Sequence, residues 1–263
     1  MKTILFSILS LGVLGGVFGG LLAFASKIFH VEVDPKQEAV RSCLAGANCG
    51  GCGFPGCDGY AAAVATGEAP TNKCVPGGEE TAKKLAEIMG VEESAAEAKV
   101  AFVRCSGGDL NAEKRFNYNG PEDCRAAMLF GGKSNKMCTF ACIGLGNCTK
   151  ACKFDAIHIE NGVAVVNRHR CVGCGSCAEA CPKNIIALIP KDQKVMPACS
   201  STAKGPVVIK SCKVGCIGCM KCQRECPAEA IKVVDNLAVV DYSKCIMCGH
   251  CAEVCPRKII RIF

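Results

Sequence analysis

Cysteine is the residue type that dominates the chemistry available to this sequence. It occurs 25 times in 263 residues, far above its average usage in soluble proteins. An odd number of cysteines cannot pair completely in disulfides, and most of them stand in short, regular runs. Thiolates at such spacings are soft ligands for zinc or for the iron of iron–sulfur clusters. The sequence therefore predicts a metal-binding protein.

The second half of the chain contains four consecutive runs of four cysteines. Three of them have the spacing C-x2-C-x2-C-x3-C, which holds [4Fe–4S] clusters in bacterial ferredoxins. The first run is stretched to C-x3-C-x5-C-x3-C, and proline follows the last cysteine only in the other three. In two-cluster ferredoxins the fourth cysteine of a run ligates the other cluster of the pair. On that rule the predicted ligand sets are Cys138, Cys142, Cys148 and Cys181; Cys152, Cys171, Cys174 and Cys177; Cys216, Cys219, Cys222 and Cys255; and Cys226, Cys245, Cys248 and Cys251.

An internal repeat indicates that this half of the chain is duplicated. Residues 156–186 align with residues 230–260 at a constant offset of 74, and 15 of the 31 positions are identical. Within each copy, short apolar stretches flank Asn161-Gly162 or Asp235-Asn236, and such pairs are typical of tight hairpin turns. We expect two tandem bacterial-type 2[4Fe–4S] ferredoxin modules, each with one β-hairpin.

A different quartet lies nearer the N-terminus, beginning in the sequence NCGGCGFPGC. Its first three cysteines stand in this glycine-rich loop, and the fourth follows a predicted helix over residues 58–66 that Gly67 ends. Four thiolates also suit zinc, but zinc sites usually contain two C-x2-C pairs rather than three ligands in one loop. We favour a [4Fe–4S] cluster here, and its predicted ligands are Cys49, Cys52, Cys57 and Cys74.

The chain begins with an uncharged segment. Residues 4–26 contain no charged side chain, and a helix of this length spans a bilayer core. Lys27 and further basic residues follow it, which favours a cytoplasmic location for the rest of the chain. The triplet at 23–25 resembles a signal-peptidase site, so a cleaved signal is the alternative, although the apolar stretch is long for one. We predict a single-pass anchor in the cell (inner) membrane, with the cluster domains on the cytoplasmic side.

These patterns predict an α+β protein with five parts. There is no tryptophan and there are only 11 phenylalanines and 3 tyrosines, so metal clusters would substitute for a large apolar core. Residues 34–41 are predicted as a polar linker, 79–89, 92–99 and 121–130 as helices, and 100–103 as a strand. The predicted parts are 1–28, a transmembrane anchor; 29–90, a small [4Fe–4S] cluster domain; 91–134, a helical connecting segment; 135–190, ferredoxin-like module 1; and 191–263, ferredoxin-like module 2.

The order of these parts resembles the B subunit of the Rnf electron-transport complexes, in the long form with two ferredoxin modules. The resemblance rests on the NCGGCGFPGC run after one apolar helix and on the later cysteine runs, and it covers essentially the whole chain. It implies a membrane-bound oxidoreductase that couples electron transfer between ferredoxin and NAD to ion translocation. It also implies that the partners are the other subunits of that complex and soluble ferredoxin, as electron donor or acceptor.

The sequence further predicts which chemistry this chain does not perform. It contains no glycine-rich dinucleotide fingerprint and no flavin motif, so we expect a relay subunit of a translocase, without catalytic residues or a hydride site. The alternatives are a free polyferredoxin carrier, the electron-transfer subunit of another membrane oxidoreductase, and a multi-zinc scaffold. The formal charge is +7, but five oxidised clusters at about −2 each would make the holo-protein mildly acidic. Nucleic-acid binding is therefore not expected.

Five cysteines remain outside the five predicted ligand sets, namely Cys43, Cys105, Cys124, Cys199 and Cys212. We interpret them as buried or free thiols. The alternative is a sixth [4Fe–4S] cluster on Cys105, Cys124, Cys199 and Cys212. A further departure from the ferredoxin pattern is Lys153, which stands where proline usually follows the fourth cysteine. We expect the cluster of the stretched run to have an unusual reduction potential.

Overall fold

The computed structural model describes residues 2–29, 34–92, 97–131 and 134–263. The helices in this part of the chain are α1 (Lys2–Ile28), α2 (Pro35–Cys43), α3 (Cys57–Ala65), α4 (Gly78–Met89), α5 (Cys124–Gly131), α6 (Asn147–Ala151), α7 (Ser176–Glu179), α8 (Gly205–Ser211), α9 (Lys221–Arg224) and α10 (His250–Glu253). The strands are β1 (Lys99–Val103), β2 (Ile157–Glu160), β3 (Val163–Val166), β4 (Ile186–Pro190), β5 (Val195–Pro197), β6 (Ile231–Val234), β7 (Leu237–Val240) and β8 (Ile260–Ile262). They pair into four two-stranded antiparallel sheets.

Helix α1 is the candidate membrane span. Its stretch Ile8–Ile28 is long and apolar enough to cross a bilayer, and none of it is buried against the rest of the chain. Large apolar side chains such as Leu11, Phe18 and Leu22 are exposed along it. A helix that is apolar on all sides and unburied needs lipid or another protein around it. The structure thus contains the helix that the sequence predicts.

Helices α2, α3 and α4 form the core of the N-terminal cluster domain. Val40, Val64 and Leu85, one from each helix, are fully buried together. Helices α3 and α4 are the two helices predicted here, and each begins one residue before its predicted start. Gly90 ends α4 in a left-handed conformation at φ 66°, which glycine adopts without strain.

Helix α2 occupies the stretch predicted as a polar linker, so that prediction is wrong. Asp34 caps the helix by accepting a hydrogen bond from the Lys36 N–H at 2.8 Å, and Pro35 occupies the first turn. An aspartate followed by proline is a strong helix-start signal. Val40 is the buried side chain of the helix, and the half-buried Cys43 packs against the same core.

Each ferredoxin module contains the predicted hairpin. Strand β2 pairs with β3, and β6 pairs with β7. The two turn residues have positive φ in both hairpins, at 46° and 71° for Asn161-Gly162 and at 49° and 64° for Asp235-Asn236. Positive φ at both positions gives a turn whose twist matches that of the strands. The hairpin prediction is confirmed in both modules.

Residues 91–134, predicted as a helical connecting segment, contain the strand predicted over 100–103, which is observed as β1. Their strand β1 pairs with β4 and so belongs to the sheet of module 1. Helix α5 begins at Cys124 rather than at the predicted residue 121, because Asp123 accepts the Ala126 N–H at 2.8 Å and marks the helix start. Most of the predicted helix over 92–99 lies outside the described residues, and Lys99 is already in β1.

The two modules share an apolar core. Val100 and Phe102 of β1 and Ile189 of β4 pack against Met196 and Ala198, which lie in or just after β5. All five side chains are buried. Their burial fixes the sheet of module 1 against the equivalent sheet of module 2, formed by β5 and β8.

Candidate metal centres

Cysteine side chains line five cavities of nearly equal size. Each comprises about 320 to 360 Å³ of space between atoms, part of it open to solvent. The groups of four that line them are the N-terminal group (Cys49, Cys52, Cys57, Cys74), the module 1 inner group (Cys124, Cys142, Cys148, Cys181), the central group (Cys105, Cys138, Cys199, Cys212), the module 2 inner group (Cys216, Cys219, Cys222, Cys255) and the module 2 outer group (Cys226, Cys245, Cys248, Cys251). A sixth, the module 1 outer group, consists of Cys152, Cys171, Cys174 and Cys177, whose thiols interact electrostatically around Cys177.

One structural group differs from its predicted ligand set, because one cysteine has been exchanged for another. Four groups contain the same cysteines as a predicted set. In the fifth, Cys138 is absent from the cavity lined by Cys142, Cys148 and Cys181, and Cys124 takes its place. Cys138 instead lines the central cavity. The central group therefore differs by one residue from the set considered for a sixth cluster, because it contains Cys138 in place of Cys124.

The exchange arises because module 1 lacks one of the cysteines that module 2 has. At the repeat offset of 74, Leu145 aligns with Cys219, so the first ferredoxin run starts at Cys142 and has no second cysteine. Leu145 packs in a small apolar cluster with Cys124. Cys124, on α5, thus reaches the cavity from outside the run, and Cys138 is free to lie elsewhere.

Hydrogen bonds of the Asn147 side chain fix the position of Cys124. The Asn147 side chain on α6 accepts the Cys124 N–H at 2.7 Å and donates to Asp123 Oδ2 at 2.9 Å. Asp123 also accepts the Ala126 N–H at 2.8 Å. These two hydrogen bonds hold the pKa of Asp123 below its usual value, the backbone bond first. The carboxylate form, which caps α5, is therefore favoured.

Burial disfavours the thiolate form of the cysteines in these groups. Together with the neighbouring thiols, whose effect is smaller, burial raises the pKa of Cys148 and Cys177 to about 12 and that of Cys138 and Cys142 to about 11. A buried thiol loses its proton only when a nearby cation compensates the negative charge. The groups therefore suit a positively charged, thiophilic occupant.

The surroundings of the thiols fit iron–sulfur clusters. Among the described residues, no three potential ligand side chains converge closely enough to share one metal ion. A [4Fe–4S] cluster binds each thiolate through a different iron and holds the four farther apart than zinc does. Backbone donors also approach the sulfurs, as the Ala101 N–H does to Cys171 and the Ala156 N–H to Cys152, both at 3.4 Å. Such donors stabilise a charged cluster.

The N-terminal group lies directly against module 1. Gly51 contacts Cys174 so closely that a Cβ at this position would stand 2.7 Å from the Cys174 carbonyl oxygen. Lys153 Nζ donates to the carbonyl oxygens of Asn48 at 2.6 Å and Ala47 at 3.3 Å. The lysine that replaces the usual proline thus joins the N-terminal loop to module 1.

The six groups follow one another in a row. Each group has a cysteine that interacts, electrostatically or through a backbone hydrogen bond, with a cysteine of the next group. The linking pairs are Cys49 with Cys174, Cys177 with Cys148, Cys142 with Cys105, Cys199 with Cys216, and Cys222 with Cys251. The row begins at the N-terminal group and ends at the module 2 outer group.

Comparison with protein-family models identifies two kinds of iron–sulfur domain. Residues 44–76 match a model described as "Putative Fe-S cluster". Residues 141–186 and 215–260 each match a model described as "4Fe-4S dicluster domain", and the two matches have the same offset as the sequence repeat. These matches confirm that the chain is an iron–sulfur protein with the predicted combination of domains.

Three curated proteins match almost the whole chain. The B subunit of the Na⁺-translocating ferredoxin:NAD⁺ oxidoreductase complex of Acetobacterium woodii is 44% identical over 99% of this chain and 78% of its own length. The B subunit of the ion-translocating oxidoreductase complex of Methanosarcina acetivorans is 43% identical over 97% of each chain. The chain belongs to this family of B subunits. A third member of the family, from the proton-translocating ferredoxin:NAD⁺ oxidoreductase complex of Clostridium ljungdahlii, is 45% identical over 99% of this chain and 93% of its own length.

Membership of this family confirms the resemblance that the sequence predicted. Sequence reasoning nevertheless missed Cys124 as a member of the module 1 inner group. The repeat contains the signal that would have found the exchange. Cys142 aligns with Cys216, the first cysteine of a complete run, whereas Cys138 aligns with Cys212, which stands outside every run.

Proposed function

We propose that this member of the family is the electron relay of a membrane-bound complex that couples electron transfer between ferredoxin and NAD to ion translocation. The observation that carries the proposal is the row of thiol groups from the N-terminal group to the module 2 outer group. The names of the Acetobacterium and Clostridium relatives support the assignment of ferredoxin and NAD. The absence of a dinucleotide fingerprint from the sequence supports a relay without a hydride site.

Five [4Fe–4S] clusters form the basis of this relay. When bound, they supply one-electron carriers at intervals along the chain. The proposed ligand sets are Cys49, Cys52, Cys57 and Cys74; Cys152, Cys171, Cys174 and Cys177; Cys124, Cys142, Cys148 and Cys181; Cys216, Cys219, Cys222 and Cys255; and Cys226, Cys245, Cys248 and Cys251.

The residues around these cysteines keep the sites dry and fixed. Ile143, Ile159 and Ile185 line the module 1 inner cavity, and Ile231 and Val240 line the module 2 outer cavity. Apolar walls exclude water, which lowers the local dielectric and limits solvent attack on a bound cluster. The chain thus contributes position and shielding, and its residues take no part in bond chemistry.

The two ends of the row differ in what can reach them. The N-terminal group follows α1 closely in sequence, so this end is the one that we assign to the membrane part of the complex. At the other end Cys248 is exposed, and the exposed side chains of Ile246 and Met247 directly precede it in the chain. An exposed ligand with an apolar rim suits brief docking of a soluble carrier. We assign this end to ferredoxin.

The anchor and its orientation form a separate part of the proposal. Helix α1 would cross the cell membrane once, and Lys27 in its last turn would remain in the cytoplasm with the cluster domains. Protease treatment of sealed membrane vesicles tests this orientation. Digestion of the cluster domains only in inside-out vesicles is expected, and digestion only in right-side-out vesicles would reverse the assignment.

The experiment that tests the relay uses the full chain, purified without oxygen in detergent. Chemically reduced ferredoxin is added, and EPR spectra are recorded after rapid freezing. Rapid appearance of low-potential [4Fe–4S] signals supports the proposal. Clusters that are present but remain oxidised would point to another donor and another complex. A free polyferredoxin carrier predicts the same spectra but no co-purification with integral membrane subunits, so isolation of the tagged chain from native membranes separates the two.

A further inference from the structure

The central group is built from two equivalent halves. Strand β1 pairs with β4, and β5 pairs with β8; β4 and β8 both begin at the isoleucine that ends the sequence repeat. Cys105 stands two residues after the end of β1, and Cys199 stands two residues after the end of β5. Cys138 and Cys212 are separated by 74 residues, which is the repeat offset. Each module therefore brings two cysteines from equivalent positions.

Equivalent hydrogen bonds support the two halves. In each half, the sulfur that follows the strand accepts two backbone N–H groups. The donors are Gly107 and Cys142 for the Cys105 sulfur, at 3.3 and 3.4 Å, and Ser201 and Cys216 for the Cys199 sulfur, at 3.5 and 3.4 Å. A sulfur with two such donors is prepared to carry negative charge as a metal ligand. Thiols without a function would not require the same pair of backbone hydrogen bonds in both halves.

The cavity between the halves matches the cavities of the ferredoxin runs. The space between atoms there, including the part open to solvent, is about 320 Å³, against about 340 Å³ at the module 2 inner cavity, and four cysteines line each of them. Arg104 lines the central cavity and Arg257 lines the module 2 inner cavity. The Nε atoms of both arginines are buried without a hydrogen-bond partner among the described residues. A buried donor without an acceptor is costly, and a cluster sulfide in either cavity would supply the acceptor.

We propose that Cys105, Cys138, Cys199 and Cys212 bind a sixth [4Fe–4S] cluster, held jointly by the two ferredoxin modules. The site is independent of the ferredoxin and NAD assignment, because it follows from the thiols and their surroundings alone. It lies between the two inner groups, since Cys105 accepts the Cys142 N–H and Cys199 accepts the Cys216 N–H. The sixth cluster therefore closes the gap between the relay of module 1 and that of module 2.

Iron and acid-labile sulfide in the anaerobically purified full chain give the first test. Six clusters predict about 24 irons and about 24 sulfides per chain, and five predict about 20 of each. A value of about 24 supports the sixth cluster. A value of about 20 in protein with all its ferredoxin-run signals overturns it. Four zinc-bound or disulfide-bonded thiols in the central group would also overturn it, and metal analysis with thiol titration detects both.

Single cysteine-to-serine variants give the second test, because they reveal which thiols hold the same cluster. Cys105→Ser, Cys138→Ser, Cys199→Ser and Cys212→Ser are expected to alter the same single EPR signal. Cys124→Ser is expected to alter a different signal, the one that Cys148→Ser alters. Cys43→Ser is the matched control, and it is expected to leave every signal unchanged. A Cys138→Ser variant that alters the Cys148→Ser signal would overturn the assignment.

The two tests remain informative when a variant folds poorly. A variant that unfolds would lose several signals at once, whereas the iron count of the unchanged protein needs no variant. Neither readout involves ferredoxin, so a failure of the sixth cluster is distinguishable from a failure of the proposed partner. Loss of only the central signal in all four variants, with the other signals retained, is the result that the two-sided site requires.

Discussion

Replacement of Asn147 by alanine is expected to loosen the module 1 inner group alone. Asn147 on α6 holds the first residues of α5 by accepting the Cys124 N–H at 2.7 Å and by donating to Asp123 at 2.9 Å. Alanine removes both contacts. Cys124 would then depend only on the apolar packing of α5 around Leu145. If Cys124 is a cluster ligand, this change weakens one ligand without altering any thiol.

The magnitude follows from the hydrogen bond that is lost. A partly buried N–H left without an acceptor costs about 1–3 kcal/mol. At about 1.4 kcal/mol for each factor of ten, the equilibrium between the attached and detached states of α5 shifts about 5- to 150-fold. The lost contact to Asp123 acts in the same direction. Iron bound by this group should therefore be released to a chelator about 5- to 150-fold faster, provided that detachment precedes release.

Anaerobic transfer of iron to a coloured chelator measures this rate, and EPR identifies the cluster that is lost. Hydrogen exchange at the amides of α5 gives an independent readout. The matched control is Lys221→Ala, at the position that aligns with Asn147 at the repeat offset; Lys221 is exposed on α9 and its loss is expected to change nothing. Release at the rate of the unchanged protein, or loss of the signal that Cys105→Ser alters, would refute the reasoning.

The remaining predictions concern the other parts of the molecule. Gly51→Ala is expected to separate the N-terminal group from module 1, because the added Cβ would stand 2.7 Å from the Cys174 carbonyl oxygen; slower electron exchange between their clusters at unchanged iron content checks this. Tyr60→Phe leaves two backbone partners in residues 70–73 unpaired, at a cost of about 1–3 kcal/mol each. Tyr118→Phe removes a buried hydroxyl without a partner among the described residues and should be neutral or stabilising. The temperature at which each variant loses its visible absorbance compares the two. Removal of all clusters by oxygen and a chelator should abolish cooperative unfolding, since the clusters replace most of an apolar core, and apo-protein that still melts cooperatively would contradict this.

Features fixed by neighbouring residues could be predicted from the sequence. The turn residues Asn161 and Gly162 specify their hairpin because both adopt positive φ readily. Gly90 ends α4 for the same local reason. The error at α2 also concerned a local signal, since Asp34 and Pro35 mark a helix start that the polar composition of the stretch concealed.

Membership of the module 1 inner group could not be derived from local signals. Cys138 stands four residues before Cys142 in a run of cysteines, and proximity in sequence favoured it over Cys124. The outcome depends on packing between distant segments, in which Asn147 draws α5 onto α6. The sequence signal lies in the alignment of the two modules, in which Leu145 stands opposite Cys219 and Cys138 stands opposite Cys212.

If the central group binds the proposed sixth cluster, the duplication has created a site that neither copy contains. Each module has two of its cysteines at equivalent positions, so a single module would have half of a ligand set. Four ligands come together only when the sheets of the two modules pack through Met196 and its neighbours. Binding of that cluster would then contribute its free energy to module association as well as to folding. The contacts that hold the modules together therefore also set the distance between the thiol groups of module 1 and those of module 2.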